Sequence, residues 1–283
     1  MAATVRTWTG AVSRVWALAT NWSPSDNYPV TGDTAILDDT DHAILGGDQS
    51  ANVLVALYIT HRFRGTLGAS GSPAIIAAGL FNIKGKSDAI WIEPLGGITT
   101  VVSVSSNAPN AVVLGGPLTS LGYTFVGGGR VTIPSGTVLG SYTQVGSDGL
   151  STVNPWLTIS SGVSTVADHI FVCNNGLMEL NQAVVATSKI LVSGGKFVYG
   201  GGNLSYEVLA INGGVFEWRS GNLGTVYVSG NALLDGRQTT TARTVSSLFV
   251  SDNATADLRT GTSAITVSAF REIANGIILR DEV

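Results

Sequence analysis

Five segments in the last third of the chain repeat one pattern: FVCNNG (171–176), LVSGGK (191–196), AINGGV (210–215), YVSGNA (227–232) and FVSDNA (249–254). Each places apolar, β-branched residues before small or polar ones with a Gly or Asn among them. A second apolar run follows each: LMEL, FVY, VFEW, ALLD and TADL. Anchored on Val172, Val192, Ile211, Val228 and Val250, the copies return after 20, 19, 17 and 22 residues. A strand–turn–strand unit of that length cannot bury its own apolar face and must stack on the copies before and after it. The fold this predicts is all-β: a parallel β-helix with Val, Ile, Leu and Phe pointing inward. Gly and Asn belong at corners that need a left-handed backbone.

Composition agrees. Charged residues make up 12% of the chain and hydrophobic ones 44%, with 36 glycines. That charged share is about half the usual one, and the mixture favours short strands and tight turns over helices. So few solvated side chains leave part of the exterior to be covered by copies of the chain or by a partner. The net charge is −4 with no basic run or stripe, which argues against nucleic acid. No apolar stretch reaches the roughly 18–20 residues of a bilayer span. The opening MAATVRTWTGAVSRVW lacks the apolar centre of a signal peptide. The expectation is a protein made in a cytoplasm, with no membrane partner. The single cysteine, Cys173, excludes an intramolecular disulfide, and its place in a strand repeat predicts a buried, inert thiol.

Residues 1–50 differ from the rest. They hold Trp8, Trp16 and Trp22, and an acidic excess of Asp26, Asp33, Asp38, Asp39, Asp41 and Asp48 over Arg6 and Arg14. A solenoid end is an open sheet edge that must be covered, and clustered tryptophans can plug it. Residues 1–50 are therefore read as a cap, 51–268 as the β-helix body and 269–283 as a C-terminal cap or oligomerisation tail. TAIL (34–37), VLVALYI (53–59), AIIAAGLFNI (74–83), AIWI (89–92) and ITTVVSVSS (98–106) read as strands. VTIPSGTVL (131–139) and LTISSGVSTV (157–166) read as earlier coils. Ile133 and Ile159 are 26 residues apart, but Val172 follows Ile159 after only 13, too few for a turn. GSYTQVGSDGLSTVNP (140–155) reads as a polar insertion projecting from one side. AFREIANGIILRDEV (269–283) fits either a helical face or a final strand. The GGG runs at 127–129 and 200–202 read as tight turns.

Candidate chemistry is sparse. Asp38, Asp39, Asp41 and His42 form the densest group of ligand-type residues. They make either a solvated acidic turn or a cation site, without the spacing of a calcium loop. His42, His61 and His169 are not paired at metal spacing, and no G-x-S-x-G elbow supports a nucleophile. Asp235, Arg237, Asp252, Asp257 and Arg259 lie in the coils, and Asp235 and Asp257 follow corresponding strands. They could line up as the carboxylate pair of a glycosidase, or serve as charges that keep a shaft soluble. No cofactor and no metal is expected.

The opening TWTGAVSRVWALATNWSPSDNYPVTGDTAILDD carries W-x-G, a second Trp, N-W-S, a Pro and G-D before an apolar strand. Gly47, Asp48, Gln49 and Ser50 follow, then an apolar strand and Phe63, Gly65, Leu67 and Gly68. The opening resembles a pattern of phage and prophage structural proteins and some bacterial surface proteins, and the continuation resembles the phage family; the later GGGRVTIPSGTV is similar only at its start. The resemblance implies a virion component with a β-helix body and no catalytic residue. It would be a capsid decoration protein or head fibre acting as a homo-oligomer, expected as a trimer, with the major capsid protein or other virion proteins as partners. Trp8, Trp16 and Trp22 are the candidate contact or cap residues. The competing reading is a glycan-active β-helix enzyme of tailspike type, a hydrolase or lyase.

Overall fold

The computed structural model describes residues 3–85, 90–95, 100–106, 112–115, 120–134, 138–160, 169–181, 189–239, 241–260 and 265–281. It is a parallel β-solenoid. One wall is a ladder of strands Val5–Trp8, Thr34–Leu37, Gly47–Ile59, Ala74–Ile83, Val101–Ser105, Ser120–Gly128, Val138–Val145, His169–Cys173, Lys189–Ser193, Leu204–Ile211, Leu223–Val228, Arg243–Ser251 and Ile265–Ile273. Each pairs in parallel with the next. A second wall rises beside it through Ile90–Leu95, Val112–Leu114, Arg130–Ile133, Trp156–Ile159, Leu177–Leu180, Lys196–Tyr199, Val215–Trp218, Leu233–Asp235, Thr255–Asp257 and Ile277–Leu279. A third side is closed by Leu204, Leu223, Val245 and Val267, stacked in register. Among the described residues the only helical element is a single 3-10 turn, Ala19–Asn21.

Strand alternation turns every second side chain inward, and parallel register stacks those side chains into columns. On the first wall one column runs Trp8, Leu37, Ile59, Ile83, Val104, Val126, Val145, Val172, Val192, Ala210, Val228 and Val250, each no more than 1% exposed. On the second wall Val131, Leu157, Met178, Phe197, Phe216, Leu234 and Ala256 form the matching column, all fully buried. Burying each of the larger members contributes about 1.5–3 kcal/mol, so the stack as a whole holds the coil.

Corners behave as the repeat predicts. Asn174 and Asn175, Asn212 and Gly213, Gly230 and Asn231, and Asp252 and Asn253 all have positive φ, two in succession. Gly214 then permits a close approach: a Cβ there would lie 2.2 Å from the Val192 carbonyl oxygen one rung below.

Several expectations are corrected. The register pairs Val192 with Ala210, and Ile211 with Ser193, so the anchor on Ile211 is one residue late and the true intervals around it are 18 and 18. Ile133 and Ile159 are one rung apart on the second wall, while Val172 stands on the first. The 26-residue step is a full turn, and the 13-residue step only crosses from wall to wall. The segment 140–155 does not project. Its first part belongs to Val138–Val145, and the rest folds back on the rung below. A Cβ on Gly127 would lie 2.5 Å from Asp148 Oδ2, and one on Gly128 2.0 Å from Ser151 Cβ. Gly127 and Gly128 thus end a strand that the loop covers, and only Gly129, at φ +80°, turns. The 269–283 segment holds strand, in Ile265–Ile273 and Ile277–Leu279; a helix is ruled out because its residues continue the two ladders. Residues 135–137 and 161–166 of the earlier coils, Ala89, and Ile98 and Thr99 lie outside the described residues.

Candidate functional site

The most concentrated chemistry on the coils lies on the outer side of the second wall. There the residues pointing away from the core run Glu179, Val198, Glu217, Asp235 and Asp257, one per rung in register. Asp235 and Asp257 do line up on neighbouring rungs, as their sequence positions suggest. Each of the last three acids is followed two residues later by an arginine that folds back over it. Arg219 Nε donates to Glu217 Oε1 at 2.5 Å, and Lys196 Nζ reaches Glu217 Oε2 at 2.5 Å from the rung below. Arg237 grips Asp235 with Nε at 2.9 Å and an Nη at 2.8 Å. Arg259 grips Asp257 in the same way at 2.9 and 2.6 Å. Arg237 also approaches Asp257 Oδ2 at 3.7 Å, linking the two rungs.

The acids are nearly covered and the arginines half-exposed. Hydrogen bonds from Arg237 and Arg259 hold the Asp235 and Asp257 carboxyls below the ordinary range. Burial pushes the Glu217 carboxyl up, but the bonds from Lys196 and Arg219 outweigh it and the net shift is down. The Arg237 guanidinium is stabilised upward by Asp235. At neutral pH these are charged pairs, laid one above another.

Sequence reading found Asp235, Arg237, Asp257 and Arg259 but missed Glu217, Arg219 and Lys196. The missed signal is a triplet repeated at the end of three second-wall strands, Glu217-Trp218-Arg219, Asp235-Gly236-Arg237 and Asp257-Leu258-Arg259. Asp252 does not join them. It sits at the corner between the strands Arg243–Ser251 and Thr255–Asp257, φ +53°, and accepts a bond from Ser251 Oγ at 3.0 Å.

The second cluster is the first coil. Trp8, Trp16 and Trp22 are 1%, 5% and 1% exposed, with Trp22 edge-on to Trp8 at 5.2 Å and to Trp16 at 4.7 Å. Trp22 Nε1 donates to the Trp16 carbonyl at 2.7 Å. The three rings lie inside this end of the solenoid and present no surface outward. Beside them, Arg6 occupies an inward position at 5% exposure. Its Nε meets Asp33 Oδ2 at 2.9 Å, and its Nη1 meets Asp26 Oδ1 at 2.7 Å and the Asn27 carbonyl at 3.0 Å. Asp33 also accepts the backbone N–H groups of Thr4 and Val30. Asn21 is fully buried: its amide oxygen accepts from the Val12 and Ser13 N–H groups, and its nitrogen donates to Ser13 Oγ and the Val15 carbonyl. Gly10 passes so close to His42 that a Cβ would lie 2.5 Å from His42 Cβ and 2.7 Å from Nδ1.

Comparison with protein-family models, with curated proteins and with solved structures gives no match.

What remains of the sequence candidates is dispersed. Asp38 is engaged by Arg62 and by Thr60 Oγ1. Burial pushes its carboxyl up, but the Arg62 and Thr60 bonds carry the net shift down. Asp39 turns the backbone at φ +33°. His42 Nδ1 lies 2.8 Å from the Thr9 carbonyl oxygen. Among the described residues no three His, Cys, Asp or Glu side chains converge as metal ligands would. No helix there is long and apolar enough to cross a membrane. Cys173 is half-buried at a strand end, not buried as expected, and burial still pushes its thiol up. An open depression of about 490 Å³ is lined by Tyr58, His61, Asn82 and Lys84 beside the Asp38–Arg62 pair. It lacks the enclosed walls of a small-molecule site.

Proposed function

We propose that this chain is a non-enzymatic structural component of a bacteriophage virion, a capsid decoration protein or head fibre that acts as a homo-oligomer. The observation that carries the reading is the ladder of locked charges on a shaft with an apolar interior. Stacked rungs filled by apolar columns make a stiff body, and the polar groups on the second wall are spent on one another. Such a shaft contributes through binding energy and rigidity, with many weak contacts summed over a capsid lattice. The motif residues of the first coil, Trp8, Gly10, Asn21, Trp22 and Asp33, each have a folding task. This accords with a family resemblance that carries architecture and no chemistry.

The glycan-active reading rests on the alignment of Asp235 and Asp257. Hydrolysis by a carboxyl pair needs one member to hold a proton near neutral pH. Here both are anions clamped by guanidinium groups, with depressed pKa values. That favours the structural reading. The test is electron microscopy of phage particles with and without the purified protein. Regular added density on the capsid is the expected result. Absence of binding, together with cleavage of a polysaccharide by the free protein, overturns it.

A further inference from the structure

The outer side of the first wall is the opposite of the second. Phe171, Leu191, Leu209, Tyr227 and Phe249 stand in one outward column, in register across successive rungs, and each is half-buried. The column continues downward through Gln144 to Phe125, with Tyr142 between the rings. On one flank, Lys189 and Glu207 neutralise each other at 3.0 Å. On the other flank stand Cys173, Ser193 and Ile211, in register and uncharged. Above Phe249 the column ends on the exposed Arg271; from Phe125 to Phe249 no charged residue stands in it, and a continuous exposed apolar strip of this kind marks an interaction surface.

From these residues we infer that the ridge is an interface between copies of this chain, packed side by side with their solenoid axes aligned. The ring geometry separates this from a sugar platform. Tyr227 and Phe249 stack at 4.8 Å and 11°, and Tyr142 and Phe171 at 5.1 Å and 28°. Stacked along the coil axis, the rings spend their faces on each other and turn their edges outward. A sugar needs a free ring face; an apolar protein surface can interdigitate with edges.

Pitch selects the occupant. The ridge from Phe125 to Phe249 advances one residue per rung in register, and its rungs repeat at about 4.8 Å, giving a length of roughly 29 Å. A second copy offers the same ridge at the same pitch, so side chains can mesh rung by rung. Charge agrees along the ridge: Lys189 and Glu207 neutralise each other within the chain, and the exposed Arg271 stands beyond its end, one rung above Phe249. Area agrees too. Five-residue strands make the face about 17 Å wide, some 500 Å² in plan before side-chain relief, approaching the roughly 800 Å² each partner gives to a standard interface.

This inference rests on the homo-oligomer part of the proposed function and is separable from attachment to a capsid. The test uses the full chain in sedimentation equilibrium or light scattering. The wild type is expected as an oligomer, and Tyr227→Glu combined with Phe249→Arg is expected to have the mass of one chain while keeping its β circular dichroism. Should that variant misfold, Ser229→Cys treated with a short bismaleimide gives a second readout, with cross-linked multimers expected. A monomeric wild type, an unchanged mass in the folded variant, or no cross-link overturns the inference. So does a polysaccharide that binds the wild type and is lost in the variant. An oligomer that forms through this face but leaves particles bare keeps the inference and sinks the virion reading.

Discussion

In the coils from His169 onward, a side chain's surroundings are set by its column. Val172, Val192, Ala210, Val228 and Val250 occupy one environment, and Val and Ala already exchange there without altering the fold. In the first coil nothing exchanges in this way. Asn21 ties four groups from three different residues, Arg6 joins Asp26 and Asp33 from separate turns, and Trp22 fills the gap between two other indoles. The body is quasi-one-dimensional, each rung stabilised by its neighbours. In the first coil the strand Val5–Trp8 pairs in parallel with Thr34–Leu37 on one edge and antiparallel with the short Trp22–Ser23 on the other, and a polar knot with bulky rings stands where the body has columns. A substitution should therefore cost most where the column rule does not operate.

Arg6→Ala is the largest expected break. It leaves Asp33 almost fully covered with only two backbone N–H donors, and an uncompensated buried charge costs about 3–5 kcal/mol. Urea denaturation should show that loss as a shift in midpoint without a change in the final baseline. A loss under about 1 kcal/mol would mean that the knot is not what holds this end.

The same contrast explains what could be read from the sequence. The β-solenoid was legible because the period, the inward alternation and the Asn/Gly corners are local signals that each copy repeats. Register was less legible. The Ile211 anchor failed because Ala210 and Ile211 are both apolar, and only contact with Val192 decides which one turns inward. The acid–arginine ladder was half legible. Asp235 and Asp257 were found because their strands correspond, whereas Glu217 was hidden behind the change from Asp to Glu. The first coil was legible only as unusual composition. Its Arg6–Asp33 pair spans 27 residues, and a loop of irregular path carries no period from which to infer contact.

The ladder gives the next effect. Glu217, Asp235 and Asp257 have folded pKa values below their unfolded ones. Their contribution is therefore complete above the ordinary carboxyl range, near pH 4, and is lost as pH falls through the depressed values. Thermal midpoints should be level from pH 7 to 5 and fall below about 4. Replacing both Arg237 and Arg259 by Ala leaves two carboxylates stacked one rung apart with little solvent, which raises their pKa values instead. The double variant should be less stable than the wild type at pH 7 and regain part of the loss as pH is lowered through 5, the opposite slope to the wild type. A wild-type slope in that variant would show that the guanidinium groups are ornaments on an already stable wall.

The smallest effect tests whether columns are as interchangeable as the body suggests. Thr143 sits in the inward column between Thr124 and Ile170. It is fully buried, and its hydroxyl has no hydrogen-bond partner. A buried hydroxyl without a partner costs about 1–3 kcal/mol, and valine fills nearly the same volume while matching the stiff β-branched shape that strands favour. Thr143→Val should thus stabilise the protein by about 1 kcal/mol, a rise of roughly 2–4 °C in the thermal midpoint for a domain of this size. Calorimetry reads it directly. A fall would mean that the Thr124 and Thr143 hydroxyls share a buried water, so that this rung, unlike those above it, depends on which residue fills the column and not merely on its shape.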